Sequence, residues 1–154
     1  MKRLLCIIVA TIATTLSLRA QRVEVGSIAP QIRGVEWISD TPHLGERALM
    51  VEFFHSSNED CRAHIELCNN LSHLFLDQMD VVMLTREPAE QVASLLMHEY
   101  QFFYVATDES GDTFRAFGVN HVPYAVIISP RGEVIWIGNP WTLSKEIIEN
   151  LIAQ

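Results

Sequence analysis

The sequence has 154 residues, with 11 Lys and Arg against 19 Asp and Glu, and its formal net charge is −8 at pH 7. This acidic balance argues against nucleic acid and anionic membrane surfaces as partners, because both carry negative charge themselves. The length is that of one ordinary domain with a hydrophobic core of its own.

The first twenty residues have the pattern of a secretory signal peptide. Lys2 and Arg3 precede an apolar stretch over residues 4–16, and Ala20 offers a small residue before Gln21. The apolar stretch is shorter than the roughly 20 residues that a membrane-spanning helix needs. We therefore predict cleavage after Ala20, export to the periplasm or cell envelope, and no stable membrane span afterwards. A retained membrane anchor is the alternative.

Removal of residues 1–20 would leave a single domain, residues 21–154. Lys2, Arg3 and Arg19 would be lost with the peptide, so 8 basic residues would face 19 acidic ones, a net charge of −11. Cys61 and Cys68 would remain, in a compartment where disulfides can form.

Apolar patterning from residue 23 onwards predicts alternating strands and helices. In chain order we expect one or two short strands in 23–40, a buried strand in 45–54, a helix over 59–76, a strand over 79–85, a helix over 88–100, a short strand over 101–107, a short helix over 112–119, a hairpin of 124–129 with 133–138, and a last helix capped by Thr142 or Ser144. Parallel-type units come first and an antiparallel hairpin comes last. This order predicts an α/β domain with a mixed sheet covered by helices on both faces.

The predicted helix over 59–76 carries both remaining cysteines. Its buried face is expected to hold Cys61, Ile65, Cys68, Leu71 and Phe75, which recur at spacings of three and four residues. Cys61 and Cys68 would lie about 10 Å apart along this helix, too far for a disulfide or for a shared zinc ion. We therefore predict that Cys68 is a buried apolar residue, and that the chain has no metal site and no cofactor.

Three segments resemble the thioredoxin-like fold and, within it, the TlpA/ResA family of thiol–disulfide oxidoreductases. Residues 25–32, VGSIAPQI, are similar to the family's G-x-x-A-P-x-F segment. Residues 45–63, GERALMVEFFHSSNEDCRA, resemble its active-site segment, which contains W-C-x-x-C-R-A. Residues 117–138, FGVNHVPYAVIISPRGEVIWIG, resemble its proline and hairpin segment. The resemblance implies a thioredoxin-like mixed sheet and, as partners, protein thiols, disulfides or extended peptides.

The active-site segment departs from the family at its first cysteine. Cys61 takes the place of the second cysteine, and Asn58 stands where the first one would be. In the family the first cysteine attacks as a thiolate at a helix N-terminus, and the second resolves the mixed disulfide. An amide cannot attack a disulfide, so the two-cysteine cycle is unavailable here. A peroxidase of the same fold is also disfavoured, because Asn58 replaces the threonine that peroxiredoxins have there.

Two functions stay open on this evidence. Cys61 would act in envelope thiol homeostasis as a single thiol that forms mixed disulfides, with His64, one helical turn on, as its possible proton partner. The alternative for His64 is a partly buried histidine satisfied by backbone or water.

The rival function is a non-catalytic module that binds peptides. The resemblance implies that Pro123 is a cis-proline and that the backbone of Val122 pairs with an extended peptide, in a groove bounded by Asn58 on its other side. The alternative is that Pro123 only shapes the start of the next strand.

Overall fold

The computed structural model of the chain describes residues 23–96 and 101–153. Its strands are β1 (Glu36–Trp37), β2 (Ala48–Phe54), β3 (Met79–Thr85), β4 (Tyr104–Thr107), β5 (Tyr124–Ile128) and β6 (Val134–Gly138), and its helices are α1 (Glu59–Leu74), α2 (Ala89–Leu96), α3 (Asp112–Ala116) and α4 (Lys145–Ile152). Within these ranges no helix is both long enough and apolar enough to cross a membrane. The predicted signal peptide, residues 1–20, and the end of the predicted helix over 88–100 lie outside the described residues.

The six strands form one mixed sheet in the order β1-β4-β3-β2-β5-β6. Strand β2 pairs in parallel with β3, and β3 with β4, whereas β5 and β6 run antiparallel to their neighbours. The predicted α/β fold with a mixed sheet is therefore confirmed. In the region 23–40, predicted as one or two strands, the structure has the two-residue β1 and a single bridge between Ile28 and Glu133.

Helices cover both faces of the sheet because side chains alternate between the faces along each strand. In β2, Met50 and Phe54 join the core cluster that also contains buried residues of α1, α2 and α4. Val51 and Phe53 join the opposite cluster, which contains residues of α3 and its C-terminal end. Glu52 lies two residues from both Met50 and Phe54, so its side chain points to the same face of the sheet as theirs and contacts α1.

Helix α1 positions the candidate site. Its N-cap is Asn58 and its C-cap is Phe75, so the helix begins where the sequence predicts and ends two residues earlier. Its buried stripe holds Cys61, His64, Cys68, Leu71 and Ser72. Ile65, which the periodicity placed on that stripe, is only partly buried and packs at its margin. The buried place that the periodicity assigns to Ile65 is therefore taken by its neighbour His64.

Candidate functional site

The start of α1 contacts the segment before β5 through the side chain of Asn58. Its Oδ1 accepts a hydrogen bond from the backbone N–H of Cys61 at 3.0 Å, which satisfies one of the unpaired donors of the first helical turn. Its Nδ2 donates to the carbonyl oxygen of Val122 at 3.3 Å. Asn58 thus links the helix start to the segment 122–123, and the structure brings these predicted binding residues together.

The Val122–Pro123 peptide bond is cis. Pro123 is buried, whereas Val122 and Asn58 are half-buried and His121 is exposed. The accessible part of the predicted groove is therefore made of Asn58 and Val122.

Cys61 lies in the first turn of α1, but its side chain has no exposed surface. Burial raises the pKa of the Cys61 thiol above its ordinary value, and the carboxylates of Glu52, Asp60 and Glu87 raise it further. A backbone hydrogen bond from His55 opposes this rise without cancelling it. The thiol is therefore protonated at neutral pH and shielded from solvent, two conditions that make a cysteine a poor nucleophile.

Glu87 holds the loop before α1 in place. Its carboxylate accepts hydrogen bonds from the backbone N–H of Ser56, at 2.7 Å, and from the Ser56 hydroxyl. His55 Nδ1 lies 3.6 Å from the same carboxylate. Burial raises the pKa of Glu87, but the hydrogen bonds from Ser56 and Thr85 outweigh burial and leave the pKa below its usual value. An ionised Glu87 thus orders the loop that carries Asn58.

Glu52 and His64 form a buried polar pair beneath the helix start. Neither side chain has exposed surface, and His64 Nδ1 lies 2.9 Å from Glu52 Oε1. Burial raises the pKa of Glu52, and the contact with His64 offsets part of that rise. The ring of Trp141 packs edge-on against His64 at a centroid distance of 4.9 Å. His64 is therefore wholly buried, not partly buried, and a carboxylate contacts its Nδ1. The role of His64 as proton partner of Cys61 stays a prediction.

Glu52 is a residue of this site that the apolar pattern did not predict, although the sequence carries a signal for it. A charged residue in the middle of the apolar run ALMVEFF must find a buried partner or destabilise its strand. The run was interpreted only as a buried strand, and the partner lies 12 positions away on α1.

Cys68 lies in the core, as predicted. Its side chain is fully buried, and its thiol donates to the sulfur of Met83 at 3.3 Å. Burial raises the pKa of the Cys68 thiol well above its ordinary value. Both Cys61 and Cys68 are free thiols.

The fold and this site together define a protein class. The fold is thioredoxin-like. Its sheet combines the parallel strands β2, β3 and β4 with the antiparallel strands β5 and β6, and its helix α1 starts beside a cis-proline.

Solved structures agree with this class. A putative thiol:disulfide interchange protein DsbE from Chlorobium tepidum is similar at a TM-score of 0.65 and 20% identity, over 85% of this chain and 96% of that one. A putative protein disulfide isomerase from Bacteroides thetaiotaomicron gives 0.60 and 18%, over 86% and 87%. A secreted Mycobacterium tuberculosis disulfide oxidoreductase homologous to E. coli DsbE gives 0.58 and 16%, over 71% and 82%. These similarities confirm the predicted thioredoxin-like fold. No protein-family model matches the chain, and no curated protein sequence does.

Proposed function

We propose that this chain is an exported thioredoxin-like protein of the periplasm or cell envelope that holds extended segments of protein partners in its groove. Its partners would be proteins of the envelope thiol–disulfide system, and it would bind them without a two-cysteine cycle. Of the two functions that the sequence leaves open, the geometry favours the peptide-binding module.

The burial of Cys61 carries this proposal. A thiol with no exposed surface cannot reach a disulfide on another protein unless α1 or the loop before it moves. Asn58, at the position from which a first cysteine would attack, instead caps α1 and bonds to Val122. The first cysteine needed for thiol exchange is therefore absent and the second, Cys61, is shielded from solvent. The groove residues Asn58 and Val122, by contrast, are accessible.

The segment before β5 can bind a peptide by strand addition, in which main-chain hydrogen bonds supply affinity. The carbonyl oxygen of Val122 has two lone pairs, and Asn58 uses one of them through a long bond of 3.3 Å. A peptide N–H would take the second lone pair or replace the Asn58 amide. The exported domain, residues 21–154 with a net charge of −11, would favour neutral or basic peptides.

Binding is best tested with a polypeptide that cannot exchange thiols. Ribonuclease A that has been reduced and then alkylated with iodoacetamide is unfolded, basic and free of thiols. We expect it to bind the protein, and we expect Val122→Arg to weaken this binding by roughly ten-fold or more, because the substitution places charge and bulk in the groove. Isothermal titration calorimetry measures both affinities.

The matched control is Leu76→Arg, which adds the same side chain at an exposed position beyond the far end of α1. That helix is 16 residues, or about 24 Å, long. Equal affinity of the two variants, with both folded by circular dichroism, would show that peptide binding does not use the groove.

The second candidate function is single-thiol exchange through Cys61. One observation favours it, namely the position of Cys61 in the first turn of α1 with a backbone hydrogen bond from His55, both of which stabilise a thiolate. Burial acts in the opposite direction, and its effect on the pKa is the larger one.

Alkylation of Cys61 with iodoacetamide distinguishes the two candidates. A raised pKa means that the thiolate fraction of Cys61 becomes large only at a pH above the ordinary cysteine pKa of about 8.5. Labelling at pH 7 should therefore be at least about ten-fold slower than in the guanidinium-unfolded chain, and it should still rise with pH above that value. Peptide mapping assigns the label to Cys61 or Cys68. Rapid labelling of Cys61 in the folded protein, with a midpoint below pH 8.5, would favour the single-thiol enzyme.

A further inference from the structure

Three metal-binding side chains meet in the core between β2 and α1. Glu52, His64 and Cys68 each offer one ligand atom, and these three atoms all lie within 4.8 Å of one another. His64 and Cys68 are four residues apart and so share one face of α1, while Glu52 projects towards that face from β2. All three side chains are fully buried.

Two atoms of this cluster have no hydrogen-bond partner among the described residues. These are Oε2 of Glu52 and Nε2 of His64, and both are buried. Buried polar atoms are paired in the great majority of cases, so an unpaired carboxylate oxygen and an unpaired imidazole nitrogen in one cluster require an explanation. An ion held between the three side chains would take the carboxylate and one imidazole nitrogen as ligands, in place of the Nδ1–Oε1 contact at 2.9 Å.

We propose that Glu52, His64 and Cys68 form a zinc-binding site in the core of this protein. Cysteine sulfur, histidine nitrogen and carboxylate oxygen are the three ligand types that Zn²⁺ takes in proteins. Their charges also balance, because a carboxylate, a thiolate and a neutral imidazole together cancel the charge of Zn²⁺. A neutral set avoids the cost of an uncompensated charge in the core.

The cluster needs only a small adjustment to bind the ion. Zinc–ligand distances of about 2.0–2.3 Å place tetrahedral ligand atoms roughly 3.3–3.8 Å apart, so ligand atoms that lie within 4.8 Å of one another must close by about 1.5 Å at most. Met83 pairs with Glu52 across β2 and β3, and its sulfur lies 3.3 Å from that of Cys68, so an apolar thioether lines the site beside the thiol. On binding, the Cys68 S–H bond breaks, a Zn–S bond forms, and the proton leaves to solvent; no oxidation state changes.

This cluster does not use Cys61, whose spacing from Cys68 along α1 is too long for a shared zinc ion. Its third ligand, Glu52, comes from strand β2 instead. The site is also independent of the groove at Val122, and the proposal goes beyond peptide binding.

The test refolds the full chain from guanidinium with one equivalent of Zn²⁺ or Co²⁺, because a fully buried site must acquire its ion during folding. We expect one zinc per chain after gel filtration, measured by native mass spectrometry, and a thiolate-to-cobalt charge-transfer band in the near ultraviolet. In a variant with Cys6 and Cys61 both replaced by serine, Cys68 is the sole cysteine. Retention of the band in this variant assigns the band to Cys68.

Substitutions complete the test. Cys68→Ser should weaken zinc binding by more than about 100-fold, since even the loss of a residue that only orients a ligand costs 10–100-fold. His73→Asn changes an exposed histidine on the same helix and should leave affinity unchanged. The proposal is overturned if refolded wild-type protein retains no metal, if the cobalt complex has no thiolate band, or if His73→Asn abolishes binding. The first two outcomes do not require that Cys68→Ser folds.

Discussion

Replacing His64 with leucine should lower the free energy of unfolding of the metal-free protein by about 1–3 kcal/mol. His64 Nδ1 lies 2.9 Å from Glu52 Oε1, neither residue has exposed surface, and the Cys68 thiol is the other described side chain that hydrogen-bonds to Glu52. Leucine has nearly the volume of the imidazole but removes one of these two partners of a buried carboxyl group, and this desolvated group carries the cost. Urea denaturation followed by circular dichroism, in the presence of EDTA, measures the change.

Two controls separate the lost pairing from other effects. The double variant Glu52→Leu/His64→Leu removes both polar groups and should recover a large part of the loss, because replacing both partners of a buried hydrogen bond by apolar groups can be nearly neutral. His73→Leu, at an exposed position of α1, should change stability by no more than about 0.5 kcal/mol. A double variant that is less stable than His64→Leu would mean that the pair does not account for the loss.

Asn58→Cys should introduce disulfide reductase activity, raising insulin reduction in the presence of dithiothreitol by roughly ten-fold or more over the parent protein. The new thiol would stand at the N-cap of α1, where unpaired N–H groups and the helix dipole lower a thiol pKa. Residues three apart on a helix lie about 5–6 Å apart, a separation that a disulfide with Cys61 can span. The loss of the asparagine cap should cost about 1 kcal/mol.

Asn58→Ser is the matched control, because serine keeps a capping oxygen but provides no thiol. Asn58→Cys/Cys61→Ser shows whether the new activity requires both cysteines. If Asn58→Cys folds but cannot form a disulfide with Cys61, the alignment of this loop with a two-cysteine site is incorrect. Activity equal to that of Asn58→Ser, despite a formed disulfide, would show that the groove does not accept protein substrates.

Local sequence predicted most of the fold because strand formation depends on short apolar runs. Strand β3 has the predicted bounds, and β2 and β5 lie inside their predicted ranges. These strands are buried on both faces, so their apolar runs are nearly continuous. The weakest prediction was the region 23–40, where alternation indicated strands but the chain mostly runs as loop, with β1 only two residues long.

The candidate site was only partly predictable. The proximity of Asn58 and Val122 was predicted from the family resemblance alone, because the two residues lie 64 positions apart and no local pattern connects them. The Glu52–His64 pair was missed because periodicity ranks positions by hydrophobicity, and it therefore placed Ile65 on the buried stripe of α1 instead of the polar His64. Glu87 was missed because its partner Ser56 is distant in sequence: Glu87 follows β3, whereas Ser56 lies in the loop before α1.

The sequence by itself determined the α/β order of elements and the absence of a thiol at position 58, because both depend only on which residues occupy each position. Only the tertiary structure decided that Cys61 has no exposed surface and that Glu52, His64 and Cys68 converge. Exposure depends on how α1 packs against the sheet and the neighbouring loops. Convergence depends on the register that turns Glu52 of β2 towards α1, and neither the packing nor the register is a property of any local stretch of residues.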